Sequence, residues 1–248
     1  MGPPSIPPNP VPAYSRDEEF YLENIVFLVE DRLFSVPRNY FTHASDIFAS
    51  AFSLPTSAGD PREGTCDETP LVLEGISRAD FKGFLRVMLC PPHLPHPHPV
   101  GSTGTSNAPP TRADWLSALK LSTMWDFRTI RQRAISALNL GWEPVEGIVL
   151  GKAYRVPQWL IRGYHELVVR TQSITDDEAA AIGRETAARL LRIREEQRTD
   201  NAAEFQGLAR GRGERDRDVM DCVRKEFREE LDDARAADAV YRSLRCCE

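Results

Sequence analysis

Residues 25–36 constrain the fold of this 248-residue chain more than any other segment. The run 25–29 reads Ile-Val-Phe-Leu-Val, which is apolar, rich in β-branched residues and typical of a short strand buried on both faces. A polar turn covers residues 30–32, and residues 33–36 form a second short run that ends at Pro37. The pattern predicts a β-hairpin, so the chain is not all helical.

The chain after the hairpin favours one further strand among short helices. Residues 38–53 predict two helices, the second capped by Ser45, and residues 71–73 predict a third strand. Short strands mixed with helices indicate an α+β fold. We therefore expect a short three-stranded sheet with a helical cluster.

Polar residues mark several helix starts. Ser77, Thr111 and Thr175 each stand three positions before an acidic residue, which is the spacing of a capping box. Asp126 is expected to cap the helix that follows it. Pro144 stands where a proline is tolerated in the first turn of a helix.

Composition divides the chain into four parts. Residues 1–17 are rich in proline and predict a disordered lead-in, and residues 18–140 form the α+β domain with a flexible insertion at 90–110. Residues 141–198 predict a helical extension. Residues 199–248 predict a linker followed by a charged C-terminal helix.

The C-terminal helix carries one apolar stripe. Met220, Phe227, Ala234 and Tyr241 are spaced seven residues apart, and Glu230 interrupts the seam. A helix this polar gains little stability alone, so the stripe must pack on something. It packs either on the globular domain or on a second tail, and the second choice gives a weak homodimer through the C-terminal tail.

Charge and hydropathy exclude two kinds of partner. The net charge of −6 argues against direct nucleic-acid binding, because the neutralisation of phosphates needs a basic surface. No apolar run approaches the roughly 18 residues that would span a bilayer, so no membrane contact is expected. Five cysteines without a secretory signal indicate reduced thiols, and the expected compartment is the cytoplasm or the nucleus.

Chemistry at a metal or a nucleophile is not expected. Cys90, His93, His96 and His98 match no closed zinc site, and the intervening prolines keep the backbone extended, so a flexible loop with incidental histidines is favoured over a zinc site. No nucleophile elbow or phosphate loop is present in the sequence. The sequence therefore predicts a protein without enzymatic activity, metal or cofactor.

Residues 24–52 carry a family resemblance. The sequence NIVFLVEDRLF, followed directly by SVPRNYFTHASDIFASAF, resembles the start of a BTB/POZ domain. Residues 71–81 resemble the third strand and following helix of that family, and residues 118–134 resemble its closing helix pair. The similarity extends to residue 195 in a fungal-type subgroup. The residues that fall on the pattern of the family are Phe34, Arg38, Phe41, Ser45, Phe48 and Phe52.

The resemblance implies a BTB/POZ-like module followed by an all-helical C-terminal extension. Its implied function is protein–protein interaction as an adaptor or scaffold. Two alternatives are a substrate adaptor of a cullin-type ubiquitin ligase and a nuclear transcription-linked scaffold. Asn24 and Pro37 replace the Asp and His of the family, so the charged pocket at the usual dimer groove is not expected.

Large apolar side chains are the candidates for core or interaction. The candidates are Phe27, Phe34, Phe41, Phe48, Phe52, Trp142, Trp159, Tyr164, Met220, Phe227 and Tyr241. Trp142, Trp159 and Tyr164 could be core anchors of the C-terminal helices or line an exposed partner groove. The core is favoured for these three, because large aromatic side chains usually seat helices.

Overall fold

The computed structural model describes residues 15–19, 21–54, 63–89, 109–139, 141–204 and 212–242. Within these ranges the chain is α+β, with one three-stranded sheet and a majority of helices. Residues 1–14 and 90–108, which hold most of the predicted lead-in and insertion, lie outside the described residues. Among the described helices, none combines the length and the apolar composition needed to cross a membrane.

The sheet contains the predicted hairpin. Strand β1 (Asn24–Val29) pairs antiparallel with β2 (Arg32–Pro37) and parallel with the two-residue strand β3 (Leu71–Val72), in the order β2-β1-β3. Alternate side chains of β1 point to the helices, and Ile25, Phe27 and Val29 are buried. On the other face of β1, Val26 is also buried and Leu28 is half-buried, so that face is only partly open to solvent.

Five helices complete this module, and three of their starts were predicted. The Ser45 hydroxyl accepts a hydrogen bond from the Phe48 amide, the Ser77 hydroxyl accepts from the Asp80 amide, and Thr111 forms a full capping box. The helices are α1 (Asn39–Thr42), α2 (Asp46–Ser53), α3 (Arg78–Leu89), α4 (Arg112–Met124) and α5 (Arg128–Ala137).

Asp126 does not cap α5, so that prediction was wrong. The N-cap position belongs to Phe127, and Asp126 lies in the left-handed region with φ of 55°. Asp tolerates this conformation better than most residues. Its carboxylate accepts a hydrogen bond from the Arg128 guanidinium at 3.1 Å and not from a free helix amide. A single left-handed residue therefore makes the turn between α4 and α5.

Six helices follow, and two boundaries differ from the predicted ones. The predicted linker begins inside a helix that continues to Glu204, and the predicted single tail helix is two helices separated at Phe227. The Thr175 capping box is present as predicted. The helices are α6 (Pro144–Tyr154), α7 (Pro157–Val169), α8 (Asp176–Ile182), α9 (Arg184–Glu204), α10 (Arg212–Glu226) and α11 (Arg228–Arg242).

Buried residues form two cores. The first core lies between the sheet and α1–α5, and the second lies among α6–α11. Val156 and Trp159 belong to the first core, whereas Ile148 and Leu160 belong to the second. The α6–α7 pair therefore contributes to both cores, and the predicted boundary at residue 140 is not a gap in the packing.

Helices α6 and α7 approach closely because glycines face their contact. A Cβ atom at Gly163 would lie 2.8 Å from the Pro144 carbonyl oxygen and 2.6 Å from Ile148. A Cβ atom at Gly147 would lie 1.1 Å from the Trp142 ring. The indole of Trp142 therefore lies directly on the backbone of α6.

Helix α11 joins the second core to the first module. Its Asp238 carboxylate accepts a hydrogen bond from Arg131 of α5 at 2.7 Å, and both side chains are buried. The other end of the Arg131 guanidinium donates to the Tyr154 carbonyl oxygen at 2.8 Å. The Tyr241 ring covers the guanidinium at 4.1 Å, which is a cation–π contact.

Candidate interaction surface

The aromatic candidates of the first module form its core. Phe27, Phe41 and Phe48 are buried, with ring centroids 4.8 Å apart for Phe27 and Phe41 and 5.0 Å apart for Phe41 and Phe48. Phe34 and Phe52 are half-buried and pack against the same core. These side chains pack the strands and helices of the module together, and little of their surface is exposed for contact with a partner.

The aromatic candidates of the extension are also mainly core residues. Trp159 and Tyr164 are buried, and the Trp159 indole N–H donates to the Asn139 side-chain oxygen at 3.0 Å. Trp142 is half-buried and packs edge-on against Trp159, with a centroid distance of 5.4 Å. The sequence left a core position and an exposed groove open for these side chains, and in the structure Trp159 and Tyr164 lie in the interior.

The apolar stripe of the tail packs on its own chain. Phe227 is buried and stacks on Tyr164 with a centroid distance of 4.1 Å, while Met220 and Tyr241 are half-buried. The seam does not break at position 230, because Leu231 continues it and is fully buried. The heptad interpretation followed residues seven positions apart and did not weigh Leu231, which lies four residues after Phe227 and three before Ala234, the spacings that place helical side chains on one face.

Among the residues that the structure describes, the apolar side chains that remain exposed lie mainly on the α+β module. These side chains offer hydrophobic contact to a partner without disturbing the core. Those on the module are Tyr21, Leu22, Leu33, Tyr40, Ile47, Leu54, Val72 and Met124, and those on the extension are Val149, Val169, Leu191 and Val240. The module is therefore the better candidate for a contact surface.

One group, the α2 face, comprises Tyr40, Ile47 and Met124. Tyr40 is 46% exposed and Ile47 is 49% exposed, on two successive short helices. The segments that carry Ile47 and Met124 are joined, because the Ser45 hydroxyl donates to the Trp125 carbonyl oxygen at 2.6 Å. This bond therefore ties the start of α2 to the C-terminal end of α4.

Arg38 organises the end of β2 and the start of α1. Its guanidinium donates to the Phe52 carbonyl oxygen at 3.1 Å and lies 4.7 Å from the Phe52 ring centroid. It also lies 3.7 Å from the Glu23 carboxylate. Leu54, two residues beyond Phe52, is 66% exposed. Arg38 therefore ties the last turn of α2 to the end of β2, next to the exposed Leu54.

A second group, the outer row, crosses the outward face of the sheet. Leu28 pairs in register with Leu33 on one side and with Val72 on the other, so the three side chains lie side by side. Leu28 is half-buried, whereas Leu33 and Val72 are largely exposed. The outer row is an apolar strip on the face of the sheet opposite to Phe27 and Phe34, and its two ends are exposed.

The carboxylates of α3 and α4 are engaged in structural contacts. Burial alone would raise the pKa of Asp114, but the Thr111 amide and hydroxyl and the Arg86 guanidinium outweigh burial and lower the pKa. Burial alone would also raise the pKa of Asp80. The Lys120 ammonium group, 2.6 Å from the Asp80 carboxylate, helps to lower that pKa below its ordinary value. Both carboxylates therefore stay ionised and bind helix α3 to α4.

Metal ligation receives no support from the part of the chain that the structure describes. In those ranges, no group of three or more His, Cys, Asp or Glu side chains is placed to hold a metal ion. Cys90, His93, His96 and His98 lie outside the described residues, so the expectation for that tract stays a prediction.

Sequence reasoning pointed to the hairpin face with helix 38–52 as a candidate surface, but it named none of the exposed side chains of the two groups. It selected the large residues that recur with helix and strand periods, and those residues point inward. The alternation of side chains along a strand could have identified Leu33 as exposed. Leu33 and Phe34 are adjacent, so they must point to opposite faces of the sheet. Register, which the sequence alone did not supply, is what joins Leu28, Leu33 and Val72 into one row.

Comparison with known proteins gives this chain no family. No family model matches it, and no curated protein matches it with significant similarity.

Proposed function

We propose that the chain is a non-enzymatic protein–protein interaction module of the BTB/POZ-like type, acting as an adaptor or scaffold. The observation that carries the proposal is the order of elements in the module. A hairpin leads into two short helices, then into a strand parallel to the first, and then into the helices α3 to α5. This is the order that the sequence resemblance implies.

The distribution of exposed apolar side chains also supports the proposal. The α2 face presents Tyr40 and Ile47 to solvent on helices whose other sides hold Phe41 and Phe48 in the core. A surface of this kind binds by shape and apolar burial and requires no reacting group.

A substrate adaptor of a cullin-type ubiquitin ligase is the second candidate. The α6–α7 pair supports it, because Val156 and Trp159 join the core of the module itself. Helices fixed in this way would extend a binding surface beyond the module. A nuclear transcription-linked scaffold would instead use the module together with a DNA-binding partner.

Quantitative affinity purification from the native organism tests the proposal. The full chain and its Ile47→Arg variant are compared, and a Val169→Arg variant serves as the control because Val169 is 47% exposed on α7. We expect Ile47→Arg to lose specific partners that Val169→Arg keeps. Loss of a cullin selects the ligase adaptor, and loss of chromatin factors selects the nuclear scaffold.

Two outcomes would contradict the proposal. One is a set of bound proteins that is the same for the wild type, for Ile47→Arg and for a mock purification. The other is a catalytic turnover that purifies with the chain and persists in both surface variants.

A further inference from the structure

The outer edge of β2 carries main-chain groups that β1 does not use. The Arg38 amide donates to the Glu23 carbonyl oxygen at 2.8 Å. Hydrogen-bonded pairs alternate along an antiparallel ladder, so the pairs Ile25–Val36 and Phe27–Phe34 also exchange bonds across it. The main-chain groups of Leu33 and Ser35 must then point away from β1.

The opposite side of β1 agrees with this assignment. The Val26 amide donates to the Gly64 carbonyl oxygen at 2.8 Å, and the Leu28 carbonyl oxygen accepts from the Leu73 amide at 2.9 Å. Val26 and Leu28 are the register partners of Ser35 and Leu33. Both therefore direct their main-chain groups toward β3, away from β2.

Strand β2 is an edge with little protection against pairing. It stands at the end of the sheet order, and no strand among the described residues lies beyond it. Edge strands are commonly protected by charged side chains or by proline. Here Arg32 and Pro37 occupy only the two ends, and the exposed middle positions are Leu33 and Ser35.

Strand β2 can pair with a second copy of itself about a two-fold axis. If two copies of β2 lie antiparallel about an axis at Phe34, Leu33 faces Ser35 of the second copy, and the outward main-chain groups of both residues meet their counterparts. The pairing ends there, because Pro37 has no amide hydrogen and Arg38 has helical backbone angles, with its guanidinium held by the Phe52 carbonyl oxygen.

We propose that β2 is a self-association edge, which pairs with β2 of a second copy of this chain to form a continuous six-stranded sheet. Each facing Leu33–Ser35 pair exchanges two bonds, so the contact contains about four main-chain hydrogen bonds. It also places Leu33, at the end of the outer row, against the partner strand. The inference stands apart from the proposed function, because it concerns two copies of one chain and not a different protein.

The contact is small and the dimer is accordingly weak. Two residues of each strand supply the main-chain bonds, and Pro37 has no amide hydrogen with which to extend the pairing. Interfaces below about 1,200 Å² of total buried area are typical of transient association. Self-association should therefore depend on protein concentration.

Sedimentation velocity of the full chain over a range of concentrations tests the inference. We expect reversible dimers in the wild type and at least about a tenfold weaker association in Leu33→Lys, which corresponds to about 1.4 kcal/mol. Leu191→Lys on α9 is the matched control, because Leu191 is 44% exposed and Leu33 is 45% exposed. Leu191→Lys should dimerise like the wild type.

A second variant keeps the test decisive if Leu33→Lys unfolds. Ser35→Pro removes an amide hydrogen that points away from β1, so it should keep the hydrogen bonds of the hairpin and weaken dimerisation by blocking the pairing of the two edges. A chain that stays monomeric at every concentration overturns the inference. A dimer that resists both variants also overturns it, since the contact would then lie elsewhere, for example on the tail or the α2 face.

Discussion

Arg194 closes the C-terminal end of α7 from another helix. Its guanidinium donates to the carbonyl oxygens of Leu167, Thr171 and Gln172 at 2.7, 3.3 and 2.9 Å. Burial lowers the pKa of Arg194, and the nearby Arg198 and Arg170 act in the same direction. The last carbonyl groups of a helix lack intrahelical partners, so this side chain supplies donors that the helix itself cannot provide.

The first prediction concerns this arginine. Arg194→Met should lower the free energy of unfolding by about 1–3 kcal/mol for each carbonyl group that is left buried without a donor. Chemical denaturation followed by circular dichroism measures the change. Arg192→Met on the same helix is the control, since the Arg192 side chain is 61% exposed. Equal midpoints for the two variants would show that water replaces the guanidinium at no cost.

The second prediction concerns the pH dependence of stability. Hydrogen bonding to Arg170, followed by the Thr175 amide, lowers the pKa of Glu178 from 4.5 to about 2. The ionised form is favoured by folding, so its contribution is complete above about pH 4.5 and is lost as the pH falls toward about 2. We expect the melting temperature of Glu178→Gln to fall less steeply than that of the wild type in this window.

Thermal melts between pH 2 and pH 7 give the measurement, and Asp177→Asn is the control from the same turn of α8. A parallel decline in Glu178→Gln and the wild type would assign the acid sensitivity to other carboxylates.

At the scale of elements, helix α2 has one face in the core and one face in solvent, and the adjacent residues Phe48 and Ile47 lie on these two faces. Phe48 is 6% exposed and touches the rings of Phe41, Phe52 and Trp125, whereas Ile47 points to solvent. Phe48→Ala should cost about 3–5 kcal/mol, which is a large share of the stability of a domain. We expect an insoluble or unfolded protein, and Ile47→Ala should fold normally. A cooperative melt of Phe48→Ala with an unchanged midpoint would contradict the placement.

Local chemistry explains which elements could be predicted from the sequence. The capping boxes at Thr111 and Thr175 depend on two residues three positions apart, and both form. The expectation for Asp126 failed because the turn before α5 uses a left-handed residue, a choice that the contact with Arg128 stabilises. A single acidic residue before a helix does not distinguish a cap from a turn.

The candidate surfaces were harder to predict because exposure is a property of packing. Leu33 and Phe34 have similar hydrophobicity, and only the fold decides that Phe34 faces the core. For the tail, the sequence left open whether the stripe would pack on the globular domain or on a second tail. The stacking of Phe227 on Tyr164 gives the stripe a place within its own chain. The weak homodimer through the tail stays a prediction.

At the scale of the whole molecule, the Arg131–Asp238 pair links the two cores across 107 positions of sequence. The removal of one partner from a buried ion pair leaves an uncompensated charge, which typically costs about 3–5 kcal/mol. Asp238→Ala should therefore destabilise both cores and detach α11 from α5. We expect the wild type to unfold in one transition and the variant to show a separate, earlier loss of helix.

Circular dichroism and tryptophan fluorescence, recorded during the same denaturation, separate these outcomes because Trp125 lies in the first core. Asp232→Ala on α11 is the control, since the Asp232 side chain is 58% exposed. Coincident transitions in Asp238→Ala would show that the cores stay coupled without the ion pair.

The contact of Trp142 with the backbone of α6 also limits which sequences can keep this fold. Even alanine at Gly147 would put its methyl group inside the indole ring, and the ring would have to leave its place against Trp159. A substitution of Trp142 removes only the packing contacts of its ring. Any substitution of Gly147 adds a Cβ atom that forces the Trp142 ring to move. Among variants selected for folding, substitutions at position 147 should therefore be found only together with a smaller residue at position 142.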